Sequence, residues 1–468
     1  MKIVVLLIIF LSLSFGQVNW NREVIDSATV AYFGKFNSLA CDTNDMLGVV
    51  YWDGGNTVFY AYRLNGMWHK EVVESGFSLV HGLSLAYDNH NTPHISYYRR
   101  NFQTPDITYL CYVKRDSLAW QISVIETIPY RFPNWTEIKT SIAIDTIGLP
   151  AIAYVSYDTV TGQYVKYAKN NGIFWELSDV ECNNMVDYSP SLKFSKCNYP
   201  YIAYLQSFNF NDSIKIYTYN SNWVLRWVII PVGGSAVSLD LEIDIDCNPH
   251  IAYCEGAALA YSWWDSYSWH TDYIAGIGWV GVRIRLALDS YGNPHIVYLP
   301  DMDVAVHYCY KENGIWHNSG IEPDTAITTP GHPDIEIKIS KNNRVDVLYP
   351  AERYGCNFIF LKHAWRDLTG IEEDDSKYRV HNPKLEMGIY PSVAEDVLNL
   401  GYTIPVSGDV EIVIYDVCGR IVKAIKDRPI LPGVYQKTME IHNLISGVYF
   451  LVLKQNNEKV TKKFLKIK

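Results

Sequence analysis

At 468 residues the chain is long enough to bury a large core without covalent staples, and 40 Lys and Arg against 50 Asp and Glu give a formal net charge of −10. That balance leaves no electrostatic footprint for nucleic acid and disfavours polyanions. With 36 Tyr and 14 Trp, aromatics reach 14%, which suits an all-β protein packed by large side chains.

The chain opens on MKIVVLLIIFLSLSFG, one Lys followed by an apolar run too short to span a membrane, with Ser14 and Gly16 suiting cleavage just before Gln17. Residues 1–16 read as a signal peptide, so the mature chain is expected to be exported. No later segment is long and apolar enough to predict a transmembrane helix.

From there a unit of about 50 residues recurs seven times, a period typical of architectures whose neighbouring units bury one another. A Tyr closes a short apolar run at Tyr51, Tyr97, Tyr154, Tyr204, Tyr253, Tyr298 and Tyr349, and nine positions upstream stand Asp42, Asp88, Asp145, Ser195, Asp244, Asp289 and Ser340. A Trp follows at Trp68, Trp120, Trp175, Trp223, Trp269, Trp316 and Trp365. The sixth unit resolves best: RLALD alternates, SYGN turns, PHIVY is apolar, VAVHYCY is aromatic and β-branched, and NGIW leads into a fourth segment. These are strand signatures, and Asn-Gly is a strong hairpin signal, present at 65–66, 171–172 and 313–314. Four antiparallel strands repeated radially predict an all-β, seven-bladed β-propeller over residues 17–366. WNREVID (20–26) resembles WHKEVVE (68–74) with no unit before it, so it is expected to close the last blade as its outer strand.

The repeated Asp reads first as a turn residue whose carboxylate accepts backbone N–H groups, a role Ser fills more weakly. His94, His250 and His295, each after a Pro in PHI, stand at equivalent places in different units. Such repetition argues for packing between blades, as core or interblade histidines, because a metal needs several ligands converging on one point. No metal and no cofactor is expected. Nine Cys are scattered without CxxC spacing; Cys111 and Cys309 match in the third strand and read as small buried hydrophobes, while pairing among the others stays open.

Residues 367–384 are acidic and polar and read as a linker, and from 385 to 468 the texture is that of a compact sandwich of short strands. YPSVAEDVLNLGY (390–402), VEIVIYDVCGRIV (410–422), LISGVYFLVL (444–453) and the basic ending KVTKKFLKIK together resemble the type A C-terminal sorting domain of the type IX secretion system. YP stands where members often have NP. The resemblance implies an Ig-like β-sandwich that partners the secretion machinery. It also implies a cargo protein secreted or attached at the outer cell surface.

The job of the propeller is sought in the loops around its central channel. Those after the apolar second strand carry Asp53, Arg99, Arg100, Glu255, Asp301 and Glu352, and loops between units add Tyr130, Trp135 and Trp279, aromatics of the kind that stack on sugar rings. Mixed charge and aromatics without a GxSxG elbow, HExxH, P-loop or calcium loop favour a non-catalytic recognition module for carbohydrate or protein. Two alternatives stay open. One is a sialidase-like glycoside hydrolase using two of Asp53, Glu255, Asp301 and Glu352; its support is a turn repeat reminiscent of the sialidase Asp-box, though the Ser-x-Asp-x-Gly-x-x-Trp form is absent. The other is a passive surface or matrix component.

Overall fold

In the first unit β-branched and aromatic runs alternate with turns, and each run becomes a strand paired with the next in sequence. The second sheet shows it: Leu79–Tyr87, Pro93–Arg100, Thr108–Arg115 and Trp120–Ile128 pair antiparallel in chain order. The computed structural model describes residues 20–368, apart from 31, 117–118, 130–137, 159–161, 183–189, 207–211, 232–237, 256–257, 277–282, 301–304, 323–326, 329–332 and 354–357, and residues 385–467, apart from 391–392, 395, 405–408, 418, 428–432 and 457. The signal segment and most of the acidic linker therefore lie outside the described residues. Two compact units result, Met1–Gly370 and Ile371–Lys468.

The first unit holds seven antiparallel sheets in a blade-like arrangement, and no helix occurs among its described residues. Six have four strands; the seventh has the same four plus the two-residue strand Ile327–Thr328. Its outermost strand is Asn21–Ala28, paired antiparallel with Ile359–Asp367 from Asn21 opposite Trp365 to Ala28 opposite Ile359. The first strands of successive sheets pack side by side, and that of the seventh, Glu336–Ile339, packs against that of the first, Asn37–Cys41.

The repeated residues hold neighbouring sheets together. At the start of most outer strands a Trp meets the third strand of the preceding sheet edge-on: Trp120 on Tyr60 (ring centroids 5.2 Å apart), Trp175 on Tyr112 (4.8 Å), Trp223 on Tyr167 (5.0 Å) and Trp316 on Tyr261 (5.5 Å). Trp68 meets His363 in the same way, whereas Trp269 is edge-on to Trp227 of the preceding sheet's outer strand. The seventh sheet corrects one expectation. Trp365 lies in the third strand, stacked on His363, and the residue in the repeated place is Trp20, edge-on to Tyr308 at 5.1 Å. The chain start thus supplies the last Trp as well as the last strand. Aromatic pairs of this geometry contribute about 0.5–1.5 kcal/mol each beyond their buried area.

Carboxylates on the outer strands complete the junctions. Glu126 binds Lys166 of the next sheet (2.6 Å), Glu181 binds Lys215 (2.5 Å) and Asp272 binds Lys311 (2.5 Å). Glu322, just past an outer strand, takes both Lys362 and the hydroxyl of Tyr349 (2.5 Å each). Glu71 takes Arg115, and Glu74 takes Arg99 and the Tyr97 hydroxyl. The N-terminal strand does likewise toward the first sheet: Glu23 pairs with Arg63 (2.9 Å) and Asp26 accepts from Tyr51 Oη (2.5 Å). Burial pushes the ionisation of Tyr51 and Tyr349 upward, so there the phenol remains the donor and the carboxylate the acceptor.

The turn chemistry matches the sequence reading. Asp42 Oδ1 accepts from the N–H groups of Asn44 and Met46, both at 2.8 Å, and Asp88, Asp145, Asp244 and Asp289 repeat the pair of bonds. Ser195 and Ser340 make the second of these bonds, at 3.2 Å. The histidines sit within single sheets: His94 lies between Asp88 Oδ2 (3.2 Å) and Tyr112 Oη (2.7 Å), and His250 and His295 repeat this with Asp244 and Tyr261, and with Asp289 and Tyr308. They pack inside a sheet and not between blades, because the Asp of the turn and a Tyr of the third strand of the same sheet hold both ring nitrogens. Asn65-Gly66 and Asn313-Gly314 both have positive φ at each residue, as the tight hairpin requires, whereas 171–172 belongs to a longer connection between strands ending at Asn170 and starting at Trp175.

The second unit has a three-stranded sheet, Glu386–Tyr390, Val397–Ile404 and Gly433–Glu440, and a five-stranded sheet. The larger sheet's central strands are Val410–Asp416, Gly447–Gln455 and Glu458–Lys466. Leu398, Leu400 and Tyr402 of the first and Ile412, Ile414, Leu451 and Leu453 of the second share one core.

Candidate functional site

Alternation along the first strands of the seven sheets decides what faces the centre. Register against the second strand aligns them: Asn37 lies opposite Tyr51, Leu239 opposite Tyr253 and Ile284 opposite Tyr298. Every second residue then falls into layers. One layer holds Ser38, Ser84, Ser141, Ser191, Asp240, Arg285 and Glu336; the next toward the turns holds Ala40, Ala86, Ala143, Lys193, Glu242, Ala287 and Lys338. One step further on the other side the same alternation reaches Lys139, Arg283 and Asp334, with Phe36 and Ser238 at the same level.

The serine layer stitches neighbouring strands. Ser38, Ser84, Ser141 and Ser191 each accept from a backbone N–H of the next sheet, those of Leu85, Ile142, Leu192 and Leu241, at 3.0–3.3 Å. Asp240 continues the pattern, taking the N–H of Leu286 at 3.0 Å while Ser191 Oγ donates to its other oxygen at 2.9 Å. Burial alone would raise the Asp240 pKa, but Lys193, Arg285 and these donors outweigh it and hold the carboxyl below its usual range.

Across the centre, Asp334 of the seventh sheet pairs with Lys139 of the third at 2.6 Å and with its neighbour Arg283 at 3.0 Å. Asp334 is fully buried. Burial favours the neutral acid, yet Lys139, Arg283 and Arg285 overcome it and lower the Asp334 pKa. Burial, with Arg285, lowers that of Lys139; burial brings Arg283 down to about 10. Arg285 pairs with Glu336 at 3.0 Å, and Lys193 pairs with Glu242. On the turn side of the Lys139 layer lies a cavity of about 370 Å³, lined among others by the four serines, Lys139, Lys193, Asp240, Arg285, Glu336 and Lys338. Its volume is that of a small-molecule site. Among the described residues no group of three or more His, Cys, Asp or Glu could hold a metal ion.

The loop residues singled out in the sequence stand elsewhere. Second strands run antiparallel to first strands, so the loops after Tyr51, Tyr97, Tyr253 and Tyr349 lie at the other end, beyond the Lys139–Asp334 bridge. Asp53 accepts from the N–H groups of Gly55 (2.8 Å) and Thr57 (3.1 Å) in its own turn. Arg99 faces Glu74, and the buried Arg100 has His81 beside it. Glu255 is buried and accepts from Tyr273 Oη at 3.4 Å; Glu352 pairs through its backbone with Thr328. Asp301, Tyr130, Trp135 and Trp279 lie outside the described residues.

The channel residues lie in the first strands of the units and not in the loops where the sequence points. Their signal is nonetheless present: LDLEI, RIRL and DIEIK alternate charge with aliphatic residues in the first strand of a unit, where an ordinary inner strand would alternate small and aliphatic ones.

None of the curated proteins compared with the chain matches it. Among solved structures, polysaccharide lyase Uly1 is 10% identical over 72% of this chain and 91% of its own, with a TM-score of 0.49. The lectin of Aleuria aurantia, solved with Fucα1-6GlcNAc, is 11% identical over 61% and 94%, with a TM-score of 0.42. The Hadza microbial sialidase Hz136 is 9% identical over 68% and 76%, also with a TM-score of 0.42. Likenesses of this strength carry no argument about ligand or chemistry. The end of the chain is another matter: residues 388–468 match the family described as the secretion system C-terminal sorting domain, and to that family the C-terminal part of this protein belongs.

Proposed function

We propose that this is an exported protein of the type IX secretion system, secreted or surface-attached, whose first unit is a closed seven-bladed β-propeller acting as a non-catalytic carbohydrate-recognition module. The Asn21–Ala28 strand closes the ring, and the second unit is the Ig-like sorting signal. The channel cavity supplies the recognition site.

One observation carries the ligand class: three of the cations that line the cavity, Lys139, Lys193 and Arg285, are already paired with carboxylates. Lys139 with Asp334, Lys193 with Glu242 and Arg285 with Glu336 present fixed donors and acceptors whose charges offset one another. An ion would have to break such pairs. A neutral polyhydroxylated ligand does not, because each hydroxyl both donates and accepts and so bonds a lysine and a carboxylate side by side. The neutral sugar also agrees with a chain whose net charge repels polyanions.

The test is calorimetric titration of neutral and acidic oligosaccharides against the full mature chain and a paired variant, Lys193→Met with Glu242→Leu. Replacing both members of this half-buried ion pair leaves Asp240 with Arg285, the Leu286 N–H and the Ser191 hydroxyl, so the variant is expected to fold. Binding of a neutral sugar that weakens at least tenfold in the variant supports the reading. Equal binding by both proteins, or no binding across the panel, sinks it.

A further inference from the structure

The seven turns that follow the first strands are built alike. In each, the N–H three residues after the repeated Asp or Ser bonds back to its carbonyl at 2.9–3.2 Å, and that third residue has positive φ. The residues there are Asp45, Asn91, Gly148, Asn198, Cys247, Gly292 and Asn343. Six are the types that adopt this backbone readily. Cys247, at φ 66°, is not, since a side chain that cannot bond locally gains nothing from the left-handed region.

Position tells what this side chain does. At four other junctions the residue in this place reaches the turn of the preceding sheet. Asn91 Oδ1 accepts from Thr43 N (2.9 Å), Asn198 Oδ1 from Thr146 N (2.9 Å), Asn343 Oδ1 from Ser290 Oγ (3.0 Å) and Asp45 Oδ1 from Lys341 N (2.9 Å). Cys247 reaches the same way across the junction between the fourth and fifth sheets, and what it meets is Cys197, with Sγ to Sγ at 3.8 Å. Cys197 is exposed and Cys247 half-buried, so an external reagent can reach the pair.

We propose that Cys197 and Cys247 form a disulfide in the exported protein, a covalent staple replacing the hydrogen bond used at the other turns. It rests on the export reading, because disulfides persist outside the cytosol. The oxidant is a protein or small-molecule disulfide donor. The Cys197 thiolate attacks one donor sulfur, breaking the donor S–S bond and releasing its partner as a thiol. The Cys247 thiolate then attacks the Cys197 sulfur and expels the second donor thiol, so two electrons and two protons pass to the donor. The sulfurs must close from 3.8 Å to roughly 2.0 Å, a movement within reach of side-chain rotation in two surface turns.

Two arms test it. In the first, the reduced mature chain is incubated with oxidised glutathione, alkylated and peptide-mapped. A linked Cys197–Cys247 peptide, two hydrogens lighter than its parts and lost on reduction, is expected. Glutathione retained on Cys197, or dimers linked through it, overturns the proposal. In the second arm, protein recovered outside exporting cells is mapped the same way. Free thiols there, with the link formed in the first arm, overturn the staple in the exported protein and leave the geometry standing. Cys247→Asn, which restores the residue found at the other turns, is expected to fold, to lose the link and to melt independently of reductant. A melting temperature that responds to reductant in the variant as in the wild type counts against the staple.

Discussion

The outer junctions and the inner strands of the first unit obey opposite rules. At the periphery the same contact recurs at most junctions, a Trp edge-on to the preceding third strand and a carboxylate taking a cation or Tyr hydroxyl, and the chain start repeats it with Trp20, Glu23 and Asp26. At the centre the first four sheets contribute serine and the last three contribute Asp240, Arg285 and Glu336. Repetition marks what every sheet needs in order to stack; departure from it marks what only one assembly of sheets needs. Ordinary packing explains the first, and the second is where the proposed ligand would bind.

The largest effect is expected from removing residues 17–28. The third strand of the seventh sheet would then present an unpaired edge and the first sheet would lose Glu23 and Asp26, so aggregation should appear on gel filtration and the melting transition should collapse. A monomeric product with unchanged melting would show that the seventh junction is unlike the rest. Next comes Asp334→Ala. It strands Lys139 and Arg283 in a buried centre, a loss of about 3–5 kcal/mol in denaturant unfolding; a loss below about 1 kcal/mol would mean that water already reaches the bridge.

Much of this comparison was legible in the sequence. The seven-fold Tyr spacing located the buried second strands, the Asp and Ser nine residues upstream located the turns, and WNREVID located the strand that pairs with Ile359–Asp367. Trp365 misled because a Trp in the third strand of the last unit occupies nearly the expected spacing, and only pairing across the chain ends shows that Trp20 holds the place. The channel was missed for a different physical reason. Alternating charge in a short strand reads as a solvated face when the strand is taken alone, and its burial arises only when the first strands of neighbouring sheets pack beside it.

A smaller effect is expected from Tyr349→Phe, which deletes one hydroxyl from a junction where Glu322 keeps Lys362. The cost should be about 1 kcal/mol, and Tyr51→Phe at the N-terminal strand should cost the same if the junctions are equivalent. Thermal melts of the two variants side by side check it, and a several-fold disparity would break the equivalence.

His81 gives the mildest departure at neutral pH. Burial, with Arg100 and Lys35, brings its pKa down to about 3 from an ordinary 6.5. The folded state therefore holds His81 neutral while the unfolded chain protonates it below 6.5, so stability is unaffected above that pH and declines as pH falls from 6.5 toward 3. The slope approaches about 1.4 kcal/mol per pH unit. The turn carboxylates Asp88, Asp244 and Asp289 act in a lower window. Burial would raise their pKa, but histidine and backbone donors lower it below 3.8, so their contribution is lost only as pH falls through the folded value. His81→Phe should flatten the upper window and leave the lower one; an unchanged profile between pH 6.5 and 4 would contradict the assignment.

The central claim, that the unrepeated channel residues serve a ligand and the repeated ones serve the fold, is tested most directly by the affinity of one neutral oligosaccharide for three proteins: wild type, Lys193→Met with Glu242→Leu in the channel, and Tyr349→Phe at a junction. The account predicts a tenfold or greater loss of affinity with little change in melting for the channel variant, and unchanged affinity with lowered melting for the junction variant. Affinity that follows melting temperature across all three, or ignores the channel variant, would contradict it.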